Sequence, residues 1–511
     1  MICGYKAGDV VASIFANLVR RIGAATAREI LATGVEWTFA PTLAVAQDIH
    51  WGRTYESYSE HPDVVASYAG VFVEGMQGDL GTDSVIACAK HFVADGGTTN
   101  GIDQGESTLT RFELESIHAK PYLPAIDAGV LTIMASFSSW NGTKCHGHKE
   151  LLTDLLKGKL QFEGIVISDW DGIDYLSEDF RDAVAQGVNA GIDMFMVSEN
   201  WKEFITFLRE HVQRGSVPIE RINDAVRRIL AVKIAYGLFE KPSPQERTWS
   251  NHESFGCNEH RALAREAVQK SLVLLKNKSA VLPLEKGARI LVAGKNAHDR
   301  GHQCGGFTIA WQGQSGNEVI EGGTSIWEGI AQMAPNAVLS QDGSDADPED
   351  HDVAIAVIGE RPYAEGMGDI RPGEHVIVEA GSKINGIMNV LSPYGDTLEL
   401  SKLHPEDLQT IHNISSKGIP VIVVLVSGRP LIVNPELEAA AAFVAAWLPG
   451  SEGGGVADVL FGDVDFQGRL SFSWPSSARQ YDKAAPKRPG PLFPFGYGLS
   501  YADEHKKRST G

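Results

Sequence analysis

The sequence is poor in the features that give quick assignments. It has 5 cysteines in 511 residues (Cys3, Cys88, Cys145, Cys257 and Cys304), far apart and with no CxxC pair. That is too sparse for a disulfide framework or a structural zinc site. Cation is scarce as well: 45 Lys and Arg face 65 Asp and Glu, a formal charge of −20. A phosphate-binding surface needs clustered Lys and Arg, so a nucleic-acid partner is disfavoured, and an anionic membrane surface equally so. No apolar run approaches the ~18–20 residues of a membrane-spanning helix. There is no GxxxxGK[ST], HExxH or GxSxG, and the glycine run 450–455 lacks GxGxxG spacing. The first 18 residues carry one Lys and a broken apolar stretch, a poor match to a signal peptide.

What is present is globular. Hydrophobic residues make up 43% and charged ones 22%, so general disorder is excluded. The length suits two or three domains. The outlier is glycine: 54 residues, about 11% against an ordinary ~7%, with no collagen period. Such a surplus fits an α/β protein with many strand-end loops.

Short apolar runs predict strands at 35–39, 85–89, 131–136, 165–168 and 194–197, separated by helical stretches such as 19–32, 112–126 and 219–232. In the last, Ile219, Ile222, Val226, Ile229 and Val232 share one face. Alternating strands and helices imply a parallel sheet, and the polar strand endings imply a barrel with its chemistry at the strand C-termini. Residues 237–258 are rich in Pro, Ser and charge and form the linker candidate between a first domain over 1–236 and a second over 259–511. Beyond the linker, buried parallel strands are expected at 289–293, 353–358, 421–426 and 443–447. The first two lead into AGKNAHDRG and GERPYAEGMGD, at the strand ends where an open sheet holds ligands.

Several residue groups can carry chemistry, and each has a plainer alternative. Asp169, between Ser168 and Trp170 at the end of an Ile-Val-Ile run, suits a nucleophile beneath a stacked sugar, or a helix cap. Lys90 and His91 end another strand and can bind hydroxyls or form ordinary ion pairs. Arg53 can fork onto hydroxyls or a carboxylate, or pair with Glu56 or Glu60. The loop from Gly359 to Asp369 offers Glu360, Glu365 and Asp369 as a general acid or as solvated charge. Phe307 and Trp311, four apart in a Gly-bounded loop, fit core packing or a sugar platform. Cys145-His146-Gly147-His148 could ligate a metal, but no partner cluster accompanies it.

Taken in order, the stretches WGRTYESYSE, ACAKHFVADGG, SSWNG, GIVISDWDGID, REAVQKSLVLLKN, CGGFTIAWQG, GERPYAEGMGD, WLPGSEGGG and LFPFGYGLSY resemble glycoside hydrolase family 3, in particular its exo-acting β-glucan glucohydrolases and β-glucosidases. The resemblance runs from about Leu18 to Tyr501. It implies a (β/α)8-type barrel followed by an α/β sandwich, and an enzyme acting on β-linked gluco-oligosaccharides without metal or cofactor. It makes Asp169 the nucleophile and Glu365 the acid/base, with Glu360 as the alternative. Arg53, Lys90, His91, Asp103 and Met134 are implied to hold the terminal sugar. Trp170 and Trp311 would clamp the next one, with Phe307 beside them. A β-xylosidase is the neighbouring substrate alternative. The N-acetylglucosaminidase branch is disfavoured, because VADGGTTNGIDQGES after KHF contains no His. Only five strands are expected before the linker rather than eight, so the barrel reads as incomplete at its start. That reading carries two further expectations: self-association through open strand edges, and a catalytically impaired, carbohydrate-binding remnant as the alternative to an enzyme. Full-length relatives of this kind are periplasmic or secreted.

Overall fold

A computed structural model describes residues 15–318, 320–372, 392–481 and 489–502, with the backbone of 383–384 and 387–388. Cys3 and the signal-peptide question lie outside the described residues.

The first half is built around three parallel strands, β1 (Cys88–Phe92), β2 (Thr132–Ala135) and β3 (Ile165–Ile167), paired in that order. Single bridges extend the arc on both sides, Trp37 to Ile86 and Thr42 to Lys90 at one edge, Ile167 to Met194 at the other. All five expected strand segments are therefore in the arc. Among the described residues its first and last members do not pair with each other. Side chains alternate as strand geometry requires. Ile133 and Ala135 face the helices in the large core, while Met134, Cys88 and Ile167 point inside the arc with Trp37, Met194 and Met196.

Helices α1 (Ala16–Ala32) and α2 (Pro62–Gln77) pack on the outside. The helix expected over 112–126 is broken into Arg111–Glu113, a wider turn over Leu114–Ala119, and Tyr122–Asp127. Pro121 sits at the break, where its missing N–H cannot continue the ladder. After α3 (Phe180–Ala190), helices α4 (Trp201–Arg214) and α5 (Ile219–Ala235) close the half. The expected apolar stripe of α5 exists but is not covered: only Val232 is buried, and Ile219 and Val226 are 49% and 48% exposed. With α4 it lines an open apolar groove of about 370 Å³.

Residues 237–257 run as turns with one short 3-10 segment, Pro244–Glu246, before α6 (Asn258–Ser271). The second half has a six-stranded sheet of β4 (Val273–Asn277), β5 (Ile290–Ala293), β6 (Val338–Leu339), β7 (Val353–Gly359), β8 (Val421–Val426) and β9 (Ala442–Trp447), in the order β4-β9-β8-β7-β5-β6. All pairs are parallel except β4 with β9. Sequence patterning missed the two edge strands: β6 has two residues, and β4 follows α6 without the Gly or Pro punctuation that marks a strand start. Alternate side chains feed two separate cores. Leu291, Ala354, Val423 and Phe443 lie on one face, and Val292, Ile355, Val424 and Val444 on the other.

Two features of this sheet set up the site. The chain leaves β5 towards β6 on one side and returns to β7 on the other, so the loops after β5 and β7 diverge. An α/β sheet opens its ligand crevice at such a switch point. In addition, Ala44, Ala46, Ile49 and Trp51 of the first half join the core on one face of the sheet, so the two halves share packed surface there.

Candidate active site

The segment after that shared core carries Arg53. Trp51 is buried (1% exposed), and a 3-10 turn over Thr54–Glu56 brings Glu56 back against the guanidinium. Arg53 Nε and Nη2 donate to Glu56 Oε1 and Oε2 at 2.8 and 2.9 Å, a fork that fixes the plane of the side chain. Burial alone would raise the Glu56 carboxyl, but the Arg53 charge and hydrogen bonds, with Lys90 and His91 beyond, hold it at about 2. The remaining face of Arg53 turns to the cleft. Nη2 lies 3.4 Å from His91 Nε2, Nη1 lies 3.6 Å from Glu365 Oε1, and the Phe307 ring sits 5.9 Å away. The pairing of Arg53 with Glu56 is as expected, and its remaining N–H groups are turned towards His91 and Glu365.

His91, at the end of β1, is 3% exposed. Its Nδ1 meets Asp95 Oδ2 at 2.9 Å, which assigns the ring proton to Nδ1 and leaves Nε2 as an acceptor towards Arg53. Burial first, and the Arg53 charge second, push this imidazole well below its ordinary pKa, so it is neutral. Burial also raises Asp95, to about 6. Lys90, beside it in the strand, is partly exposed and acts electrostatically on both Glu56 and His91.

Asp169 follows β3. Its Oδ2 lies 3.6 Å from His91 Nε2 and its Oδ1 accepts the Trp170 N–H at 2.7 Å. The Asp169 N–H donates to His146 Nε2 at 2.9 Å. Trp170 stands 51% exposed over a polar hollow formed with Asp171, Asp174 and Ser198.

From the sheet of the second half comes the loop after β7, whose two glutamates are treated differently. Glu360 is 3% exposed and fully engaged. Its Oε2 accepts from Tyr363 Oη and the Gly428 N–H, both at 2.9 Å, and its Oε1 from Arg429 Nε at 3.2 Å. Arg429, 0% exposed, also donates to the carbonyls of Ile49 and Gly368. Glu365 instead heads the short turn Glu365–Gly368 and reaches Arg53. The two halves approach closely here: a Cβ on Gly52 would lie 1.9 Å from the Glu365 carbonyl oxygen, so only glycine fits.

Asp369 fastens the contact. Its Oδ1 accepts the Gly52 N–H at 2.8 Å, and its Oδ2 accepts the Asp103 N–H at 2.9 Å and Arg371 Nε at 2.9 Å. Asp103 accepts Trp51 Nε1 at 2.7 Å through Oδ1, while its Oδ2 is buried without a hydrogen-bond partner. Burial raises the Asp103 carboxyl, and burial together with the Asp103 charge raises Asp369 to about 7. A buried acceptor left open beside Arg53 is suited to a ligand hydroxyl.

The structure thus brings Arg53, Lys90, His91, Asp103, Asp169 and Glu365 to one place where the halves meet. Phe307 stands beside Arg53, 43% exposed with φ +55. Trp311 is half-buried on the same loop; its carbonyl accepts the Phe307 N–H, and Gln312 ties that loop to the Ala364 N–H at 2.7 Å. Met134 departs from its expected role. It is 2% exposed and packed inside the arc, because alternation turns position 134, one residue before the end of β2, inward. It lies under the site and offers a sugar almost no surface. Sequence reasoning overlooked Asp95 and Arg429, and marked Asp369 only as one of three loop carboxylates. His146 was visible only as half of a metal-like CHGH. Asp369 and Arg429 act across more than 300 residues, which no local spacing encodes.

Family models match both halves: the glycosyl hydrolase family 3 N terminal domain over residues 9–232 and the glycosyl hydrolase family 3 C-terminal domain over 272–501. A lysosomal beta glucosidase of Dictyostelium discoideum is 31% identical over 93% of this chain and 59% of its own length. A periplasmic beta-glucosidase of Salmonella typhimurium is 31% identical over 95% of this chain and 68% of its own. The crystal structure of an exo-1,3/1,4-beta-glucanase from a Pseudoalteromonas species superposes with a TM-score of 0.86 at 45% identity, over 95% of this chain and 60% of that one. The chain thus spans about three fifths of the length of two of these relatives.

Proposed function

The chain belongs to glycoside hydrolase family 3, and from that membership and the geometry of the cleft we propose that it is a retaining, exo-acting β-glucosidase that releases glucose from the non-reducing ends of β-gluco-oligosaccharides. The observation that carries the reading is the convergence of two carboxylates on one cationic and neutral pair. Asp169 touches His91, Glu365 touches Arg53, and Arg53 touches His91. Retaining hydrolysis needs two carboxyl groups ~5–5.5 Å apart in different states. Asp169, from the first half, attacks the anomeric carbon as the carboxylate, while Glu365, from the second, gives its proton to the departing glycosidic oxygen. The glycosyl ester on Asp169 is then cleaved by water, whose proton returns to Glu365. Arg53, Lys90, neutral His91 and the open oxygen of Asp103 supply donors and acceptors for the sugar hydroxyls. Trp170, with Phe307 and Trp311, offers flat apolar surface for the next ring. Glu360 is set aside as the acid because its carboxylate is spent on Arg429, Tyr363 and Gly428.

The test is glucose release from laminaribiose and cellobiose, with aryl β-glucosides and aryl β-xylosides alongside. Asp169→Ala and Glu365→Ala should each slow aryl β-glucoside turnover by at least about 10³-fold, and azide should rescue each with opposite product stereochemistry. Normal turnover in either variant defeats that assignment. Preferential xyloside cleavage shifts the substrate, and tight binding of cello-oligosaccharides without glucose release favours a binding protein. We further infer, from the resemblance to a periplasmic relative, that it acts outside the cytoplasm; recovery of activity solely in the cytosolic fraction of its host would overturn this.

A further inference from the structure

We propose that His146 is a positioning residue for the nucleophile, holding the Asp169 peptide so that the carboxylate keeps its aim into the cleft. The inference deepens the glycosidase reading and rests on it.

The turn that bears Asp169 has five successive backbone N–H groups with identified acceptors. Ser168 N–H goes to the Met194 carbonyl, Asp171 N–H to the Met196 carbonyl and Gly172 N–H to the Asp169 carbonyl. Trp170 N–H goes to the Asp169 carboxylate. The Asp169 N–H goes to His146 Nε2 at 2.9 Å, the one acceptor in the series that is a side chain from another element. Without that acceptor the Asp169 N–H can turn to the Asp169 carboxylate, since aspartate side chains readily bond their own backbone. Such a bond would turn the nucleophile away from the sugar and quench it.

His146 is built to do this and nothing else visible. It is 0% exposed, on the 3-10 turn Cys145–Gly147 that follows the hairpin of Ser139–Trp140 and Thr143–Lys144. That hairpin is pinned. Lys144 Nζ donates to the carbonyls of Gln104 and Phe137 at 2.9 and 2.8 Å, and the Cys145 N–H donates to the Ser138 carbonyl at 3.0 Å. The Phe137 ring covers the imidazole at 5.3 Å. Gly172 makes room for it, because a Cβ there would lie 2.3 Å from His146 Nε2. An acceptor at Nε2 must be unprotonated, so the ring proton sits on Nδ1. Nδ1 is buried without a hydrogen-bond partner. Burial, helped by the Lys144 charge, pushes the imidazole down to about 3, so the acceptor persists at every working pH. Nothing in this arrangement lets His146 touch substrate; it acts through Asp169.

Two variants and one spectrum test it. His146→Gln can present a side-chain oxygen near the Nε2 position, whereas His146→Leu fills the space without an acceptor. Circular dichroism and melting identify folded samples of each. Losing one hydrogen bond to a buried donor corresponds to roughly a 10–100-fold fall in rate. We expect that fall for His146→Leu in kcat on aryl β-glucosides, and in the rate at which a 2-deoxy-2-fluoroglucoside labels Asp169, with KM changed less than about threefold. His146→Gln should recover most of it. Equal kcat in wild type and His146→Leu, or equal losses in the two folded variants, would overturn the proposal. The independent measurement is 15N NMR of the wild-type chain labelled on its histidine rings, with the His146 signal assigned by its absence in His146→Gln. A neutral Nδ1–H tautomer that does not titrate between pH 5 and 8 is expected. A proton on Nε2 would overturn the proposal whatever the activity, and an inert wild-type chain with the expected tautomer would count against the glucosidase reading instead.

Discussion

The two halves of the molecule meet their apolar sequence patterns with opposite outcomes. In the second half, β7, β8 and β9 are buried along their whole length, and their alternate side chains fill two cores. In the first half, α5 carries an equally regular apolar stripe, yet only Val232 is buried. Periodicity reports which face of an element is apolar, and says nothing about whether anything lies against it. The difference reaches the site. The covered half holds the Glu365 loop through Arg429, Tyr363 and Asp369, while the half with the uncovered face supplies Asp169, which needs His146 across the hairpin to fix its turn.

The largest expected effect follows from that contrast. Arg429→Met leaves the buried carboxylate of Glu360 without its cation, and breaking a buried pair on one side costs about 3–5 kcal/mol. Urea denaturation should show a loss of that size, and it should be smaller in the double variant with Glu360→Gln, which removes the stranded charge. Glu365→Gln, five residues along the same loop, should change the midpoint little. Equal losses for the single and double variants would mean that Arg429 acts through its carbonyl contacts with Ile49 and Gly368 rather than through Glu360.

Much of this was legible in the sequence where the signal is local. The five barrel segments and four of the sheet strands stand where apolar runs placed them, since a buried parallel strand is little else. The motifs drew attention to positions 169 and 365, which the fold sets 3.6 Å from His91 and 3.6 Å from Arg53 respectively. Met134 was expected against the sugar, yet the pleat of β2 turns it inside the arc, where it is 2% exposed. His146 was seen only within CHGH, where no metal cluster was expected, and its partner was not readable: His146 goes to the Asp169 amide, His148 against Trp140. Arg429, and the docking role of Asp369, were not readable because Ile49, Gly52 and Asp103, which they meet, lie in the other half.

A second effect tests how completely the sheet half is closed. Glu436 is 0% exposed, neither carboxylate oxygen has a hydrogen-bond partner, and burial, reinforced by Asp407 and Glu399, raises it to about 7. A carboxyl raised on folding stabilises the fold while protonated. Its contribution is therefore complete below its unfolded value near 4.5 and is lost as pH rises through about 7. Between pH 4 and pH 8 the loss is about 3 kcal/mol by linkage. Glu436→Gln should abolish that part of the pH dependence and raise alkaline stability, read as melting temperature against pH. Unchanged pH dependence would mean that water or a rearrangement reaches the carboxylate.

The smallest effect on stability, and the one aimed at the other half, concerns the face of α4 and α5. Trp201, Ile205, Ile219, Val226, Leu230 and Ile234 on these helices are 42–64% exposed, and Trp201, Ile205 and Val226 line one groove between them. Scattered exposed apolar residues are ordinary, but contiguous ones mark contact surfaces. The chain on its own is expected to sediment above its 55.2 kDa, with the fraction in larger species rising with concentration. Ile205→Lys with Val226→Lys should return it towards monomer. Because both side chains are already about half in water, folding stability should move by no more than about 0.5 kcal/mol each. If the double variant loses stability as a core substitution would, the face is covered within the monomer after all. The contrast between the halves would then vanish, and α5 would join β7 and β8 as an ordinary buried element.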